Sequence, residues 1–194
     1  MRTLIFSDIH ASQKACQELE GILPGYDQAV CCGDLVGYGR EPEYCLDFIV
    51  RNKIHAVKGN HDAMVTGECP IPQHPVIRES IEWTKGRLNR KYLDILQGLP
   101  ESLETDDLYA THTFNDKYIY GEQDVTPDIA DRLKTVSRSH IVIGHTHTHY
   151  TFIYAGKTIF NPSSITKGRK GCARGYAVYQ EAGFEFTPLP KEIL

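Results

Sequence analysis

Hydrophobic and polar positions along this chain follow two rhythms that alternate roughly every dozen residues. The short apolar runs TLIF, QAVCC and IHAV, starting at Thr3, Gln28 and Ile54, read as strands. Between them, SQKACQELEGIL and EPEYCLDFIVRNK carry apolar residues at the three-and-four spacing of a helix face, with Pro42 suited to the first turn of the second. Strands alternating with helices favour a parallel sheet with helical crossovers. From Pro75 to about Gln97 the pattern predicts two helices broken between Gly86 and Asn89. DLYATH then resumes strand character, TPDIADRLKTV is a short helix with Thr126 as cap and Pro127 at its first position, and HIVIGHTH follows as a strand. The last segment differs: YTFIYAGKTIFNPSSI and GYAVYQEAGFEFTP read as antiparallel pairs turned at Ala155-Gly156 and Ala182-Gly183.

Composition narrows the picture. The 194 residues fit one domain spanning 1–194, with no repeat, low-complexity segment or linker to divide it. At 41% hydrophobic and 24% charged the chain has the balance of a folded protein, which excludes bulk disorder. A formal charge of −4 gives no general attraction to nucleic acid or to an acidic membrane surface, so a polymeric nucleic-acid partner is not expected. No apolar run approaches a membrane span, and the first is too short for a signal-peptide core. Cys16, Cys31, Cys32, Cys45, Cys69 and Cys172 have no CxxC spacing and read as small buried residues of a reducing compartment, so the expected location is cytoplasmic. Trp83 and Tyr92 leave two readings open, a contact in a homo-oligomer or the packing of a helix.

The polar residues that follow the strands carry the chemistry. SDIH follows TLIF, GD follows QAVCC, GNHD follows IHAVK, His112 follows LYAT, and GHTH follows HIVI. One such ending is an ordinary turn, but in open α/β sheets ligands bind beyond the carboxyl ends of strands, where five endings can converge. Asp8, His10, Asp34, Asn60, His112, His145 and His147 offer two carboxylates, one amide oxygen and four imidazoles. One zinc-like ion takes about four ligands, so this set suggests two divalent ions, and mixed nitrogen and oxygen donors suit Mn, Fe, Zn, Co or Ni better than Ca or Mg. Two-metal hydrolytic sites usually share a bridging carboxylate, for which Asp34 on the middle motif is the expected residue. His145, His147 and His149 recur at a spacing of two, which on an extended backbone would turn all three toward one space.

Taken in order, DIH, GD, GNHD, a lone His and GHTH resemble the motif set of the calcineurin-like metallophosphoesterase superfamily, and FNPSSI resembles that family's NPGSV loop. The resemblance implies an α/β fold in which a two-sheet β-sandwich is flanked by helices. It also implies hydrolysis of a small phosphodiester or phosphomonoester by metal-activated hydroxide. One ion would be held by Asp8, His10, Asp34 and His147, the other by Asp34, Asn60, His112 and His145. His61 matches the family's catalytic histidine, with Asn60 and Asp34 beside it in the reacting set, and His149 is left as a spectator. Where protein phosphatases of this superfamily carry GDxVDRG, this chain has GDLVGYG, so Gly37 and Tyr38 replace the orienting Asp and the phosphate-clamping Arg. That departure favours the small, cap-less phosphodiesterase-like branch. The alternatives are a non-catalytic protein-binding scaffold, a nucleotide-polyphosphate hydrolase and a protein phosphatase. Thr113 and Ser163 stand where the family usually has glycine. Arg40 reads as an exposed loop residue, and Lys167, Arg169, Lys170 and Arg174 as a solvated face in preference to a substrate-attracting patch.

Overall fold

The computed structural model describes residues 1–190 and 193. Its elements in order are β1 (Thr3–Phe6), α1 (Gln13–Ile22), β2 (Gln28–Cys31), α2 (Pro42–Arg51), β3 (His55–Ala56), α3 (Asn60–Thr66), α4 (Pro75–Arg87) and α5 (Arg90–Gln97). They continue with β4 (Ser102–Glu104), β5 (Leu108–Thr111), α6 (Pro127–Thr135), β6 (His140–Val142), β7 (His149–Tyr154), β8 (Lys157–Pro162), β9 (Gly175–Gln180) and β10 (Gly183–Pro188). Two five-stranded sheets result, ordered β10-β9-β1-β2-β3 and β4-β5-β6-β8-β7. β1, β2 and β3 are parallel in the first, as are β5, β6 and β8 in the second, while antiparallel strands complete both.

Period-two alternation explains why runs that look uniformly apolar build a layered sandwich. In β1, Leu4 and Phe6 pack toward α1 and α2, while Ile5 faces the other sheet. Cys31 and Val30 divide in the same way on β2, and Ile141 and Val142 on β6, where Ile141 packs against Ile129 and Leu133 of α6. The inter-sheet core therefore draws on both sheets, including Ile5, Val30, Val142, Phe160 and Ala177. Helices cover both outer faces, so the two-sheet α/β sandwich implied by the motifs is the fold observed.

Local signals set most boundaries. Ser12 caps α1 by accepting from the Ala15 amide, and Asn89 caps α5 by accepting from that of Tyr92, which is where the predicted pair of helices breaks. Thr126 behaves differently from the expectation: its hydroxyl goes to the Asp128 carboxylate and caps no amide. The hairpin between β7 and β8 turns at Ala155-Gly156 as expected, but that between β9 and β10 turns at Glu181-Ala182, both left-handed, and Gly183 already belongs to the strand. The edge strand β4 and the helix α3 carry no strong periodic signal, because one has three residues and the other seven. Among the described residues no helix is long and apolar enough to cross a membrane. Trp83 and Tyr92 both have partners within the chain: the Arg40 guanidinium lies 4.7 Å from the Trp83 ring centroid, and the Tyr92 hydroxyl donates to Asp47 at 2.8 Å.

Candidate metal centre

The turns after β1, β2, β3, β5 and β6 meet at one end of the sandwich and are knitted together by their backbones. The Asp8 amide donates to the Gly33 carbonyl, the His10 amide to that of Asp34, and the Gly144 amide to that of His112. All seven expected donor residues converge there. Asp8 and His10 have no exposed surface; Asp34, His112, His145 and His147 are buried, and Asn60 is half-buried.

The donors form two groups that share one residue. On one side Asp8 Oδ1 lies 3.1 Å from His147 Nε2 and 3.8 Å from His10 Nε2, and the two histidine nitrogens are 3.0 Å apart. On the other side Asn60 Oδ1 lies 3.0 Å from His112 Nε2 and 2.9 Å from His145 Nδ1. Asp34 Oδ2 stands between, 3.9 Å from His10 Nε2 and 3.4 Å from His112 Nε2. Its other oxygen accepts from the His61 amide, which fixes the carboxylate's orientation. Both oxygens of Asp8 are buried without a hydrogen-bond partner among the described residues. Buried acceptors are ordinarily satisfied, so these orphans fit a cation and fit an all-protein network poorly.

Second contacts choose the nitrogen each ring presents. Nδ1 of His10, His112 and His147 lies 3.3, 2.6 and 3.0 Å from the carbonyls of Val36, Cys32 and Lys167; each carries the proton it donates, which leaves Nε2 as the donor to the centre. His145 turns Nδ1 inward instead. His61 also approaches: His10, Asp34 and His61 offer donor atoms within 4.8 Å of one another, as do Asp8, His10 and His147, and Asp8, Asp34 and His112.

Electrostatics follow the geometry. Burial works against ionising Asp8 and Asp34, yet His147 beside the first and His112 beside the second hold both below the usual carboxylate range. Burial likewise opposes charge on His112, but Asp34 lifts it to about 10. Burial depresses His10 and His61, and burial with His112 nearby brings His145 to about 4. Most of the rings thus keep a lone pair free for a cation.

One expectation from the sequence is corrected here. β6 ends at Val142, and His145 and His147 lie beyond it with φ of 70° and 56°, so they do not share a face of an extended strand. Asp8, His10 and Asp34 are left-handed too, at 57°, 51° and 55°. Tight turns, and not strand periodicity, aim these side chains. His149 opens β7, stacks at 4.1 Å on Phe186 and directs Nδ1 to the Asn161 carbonyl, away from both donor groups. His149→Ala is therefore expected to keep the metal content of the parent and lose roughly 1–2 kcal/mol of stability with its ring contact, whereas His147→Ala loses one ion. Metal analysis of the two variants decides between these roles.

Several positioning residues were not legible as such. Asp62, the last residue of GNHD, accepts from the amides of Leu35, Val36 and Gly59 and so ties the GD turn to the start of α3. Burial, with Asp34 close by, pushes it up to about 7. Asn161 donates to the Gly144 carbonyl at 2.6 Å, and Ser164 to that of Asp8 at 2.9 Å, so the NPSS loop holds the ligand turns from below. Ser163 keeps the left-handed φ of 67° that suits glycine and donates its hydroxyl to the His147 carbonyl. Gly37, with φ of 88°, gives room to His61: a Cβ there would lie 2.3 Å from His61 Nδ1, an atom that is buried and without a partner among the described residues. Arg174 corrects the reading of the basic cluster as a solvated face, since it is 4% exposed and paired with Glu18 at 2.8 Å; Lys167 and Lys170 are exposed and Arg169 is half-buried. Arg40 is exposed as expected.

Comparison with known proteins extends these observations. Residues 1–182 match the model of the calcineurin-like phosphoesterase superfamily domain. The chain is 26% identical to the uncharacterized protein MJ0912 of Methanocaldococcus jannaschii, over 93% of this chain and 83% of that one. Among solved structures, a metallophosphoesterase from Sphaerobacter thermophilus superposes with a TM-score of 0.72 at 26% identity, covering 93% of this chain and 84% of that one. An archaeal phosphodiesterase superposes at 0.58 and 16% identity, covering 97% and 100%. Five strand-end motifs gathered around one shared aspartate, on a sandwich that the domain model spans almost from end to end, place this chain in the calcineurin-like phosphoesterase superfamily.

Proposed function

We propose that this protein is a dinuclear-metal phosphoesterase that acts on small phosphodiesters in preference to phosphoproteins. The observation that carries the reading is the pair of donor groups joined at Asp34 and completed by the orphaned oxygens of Asp8. Asp8, His10, Asp34 and His147 would hold one ion, and Asp34, Asn60, His112 and His145 the other; Mn, Fe, Zn, Co and Ni suit this donor set. When bound, such ions supply Lewis acidity, generating a nucleophile from water at neutral pH and offsetting charge on phosphoryl oxygens. No protein nucleophile is then required.

The chain's own residues orient the centre. Asp34 keeps the two groups in register, and the Asp62 carboxylate anchors the turn that carries it. His61, packed at 4.7 Å against Tyr38 and 4.9 Å against His10, is placed to hydrogen-bond a phosphoryl oxygen or to hand a proton to the leaving group. Burial lowers the proton affinity of its ring. The preference for diesters is supported by Gly37 and Tyr38, which supply neither an orienting carboxylate for His61 nor a guanidinium at that position.

Chelated protein is expected to lose turnover of bis(p-nitrophenyl) phosphate and to regain it with Mn, Ni, Co or Zn. A panel of phosphomonoesters, cyclic nucleotides and dinucleoside polyphosphates run beside it tests the preference. No turnover of any phosphoester with added metal would favour a protein-binding scaffold on the same fold.

A further inference from the structure

The loop after β5 begins at the donor His112 and presents Tyr118 to solvent, 52% exposed. Its neighbour Ile119 is buried with Phe114 and with Ile129 of α6, and the Ile119 carbonyl accepts from the Tyr150 hydroxyl. The Tyr120 amide donates to the Asp124 carboxylate at 2.8 Å. These anchors fix the stretch of backbone from which Tyr118 projects. The Tyr118 ring stacks on that of His145, with centroids 4.3 Å apart and planes inclined by 26°.

An exposed large side chain is ordinary where nothing else marks the place. Met1, Val50, Val76 and Ile153 are exposed as well, at the chain start, on α2, on α4 and on β7. Tyr118 differs in what it touches. His145 Nδ1 lies 2.9 Å from Asn60 Oδ1, so a single imidazole separates the tyrosine ring from the inner donors. The adjoining Tyr120 is half-buried, against Tyr150 at 6.4 Å and beneath the Lys170 ammonium, 3.4 Å from its centroid. That ring is covered by the chain itself, whereas much of Tyr118 stays open at the rim of the centre.

A phosphodiester has two ester arms, one that leaves and one that stays on phosphorus. His61, placed to serve the leaving group, packs against His10, in the donor group of Asp8 and His147. Tyr118 packs against His145, in the group of Asn60 and His112. With the leaving arm directed at His61, the retained arm extends toward Tyr118. A planar heteroaromatic ring on that arm gains a stacking contact that an alkyl group cannot copy, and the fixed loop keeps the ordering cost low. Such stacking tolerates different bases, since each presents a π face.

Building on the phosphoesterase reading above, we propose that Tyr118 is a specificity-determining residue, a stacking platform through which this centre favours phosphodiesters whose retained arm carries a planar heteroaromatic ring.

The test uses metal-loaded protein and two esters with the same leaving group, thymidine 5′-p-nitrophenyl phosphate and methyl p-nitrophenyl phosphate. The parent should favour the thymidine ester in kcat/KM, and Tyr118→Ala should lower that ratio by about 5- to 100-fold, the scale of one lost base-stacking contact. Calorimetry with thymidine 5′-phosphate against methyl phosphate should show the same loss of preference in binding. Tyr118→Phe should keep the preference, and Tyr118→Leu, which restores bulk without a ring, should not. Metal content should match the parent, because the contact with His145 is between ring faces. An ion lost from Tyr118→Ala, an equal fall for both esters, or a preference that survives in Tyr118→Leu overturns the proposal. So does a parent that hydrolyses both esters equally well, which leaves the phosphoesterase reading standing. A parent that hydrolyses neither with Mn, Ni, Co or Zn added overturns both.

Discussion

Asp34→Ala is expected to disturb metal binding on both sides of the centre and to reduce turnover by about 10³-fold or more, the scale set by losing several kcal/mol of metal-based charge stabilisation. The reason is geometric. Oδ2 of Asp34 faces His10 on one side and His112 on the other, at 3.9 and 3.4 Å, and the hydrogen bond that Oδ1 accepts from the His61 amide keeps the side chain from turning to favour either. Asp34→Asn separates the two contributions, because an amide oxygen can still accept from His61 while the negative charge is gone. Metal stoichiometry of parent, Asn and Ala proteins reads this directly. Two ions retained in Asp34→Ala would mean that the two donor groups fill independently and that the aspartate does not bridge.

His61→Ala should do the opposite, keeping two ions while lowering kcat by about 10²–10⁴-fold, the usual range for a positioned acid or base. His61 sits at the start of α3, beside Asn60, with its amide committed to Asp34 and its ring between Tyr38 and His10. Proximity alone does not assign the role, since the ring is also close enough to His10 and Asp34 to donate to a cation. Metal content resolves the two possibilities. If His61→Ala empties one position and activity falls in proportion, the residue is a ligand and the assignment to proton transfer is wrong.

The sequence made the centre legible where chemistry and local pattern coincide. Apolar runs marked β1, β2, β5 and β6, and the residue types after them marked the donors, so Asp8, Asp34, His112 and His145 could be gathered without knowing how far apart they lay. What it hid was how the donors are aimed. Spacing by two suggested that His145, His147 and His149 share a face, but a left-handed residue reverses the chain direction, and periodicity carries no record of φ. Asp62 was hidden for a related reason: its partners at Leu35 and Val36 come from another turn, and the spacing within GNHD carries no record of them. Arg174 misled because a cluster of cations in sequence says nothing about which of them meets Glu18 across the fold.

The left-handed turns under Asp8, His10, Asp34, His145 and His147 also bear on how this protein can change over generations. At about 1 kcal/mol or more for each non-glycine residue, five such positions draw on the order of 5 kcal/mol from a folded state whose margin is itself only about 5–15 kcal/mol. Packing elsewhere in the sandwich offsets that cost. Drift in distant core residues would therefore be felt first as these turns relaxing, with the donors losing their arrangement while both sheets still form. A stabilising change in the core, at Leu4, Phe48 or Ile141 for example, would widen the range of conformations these turns can hold.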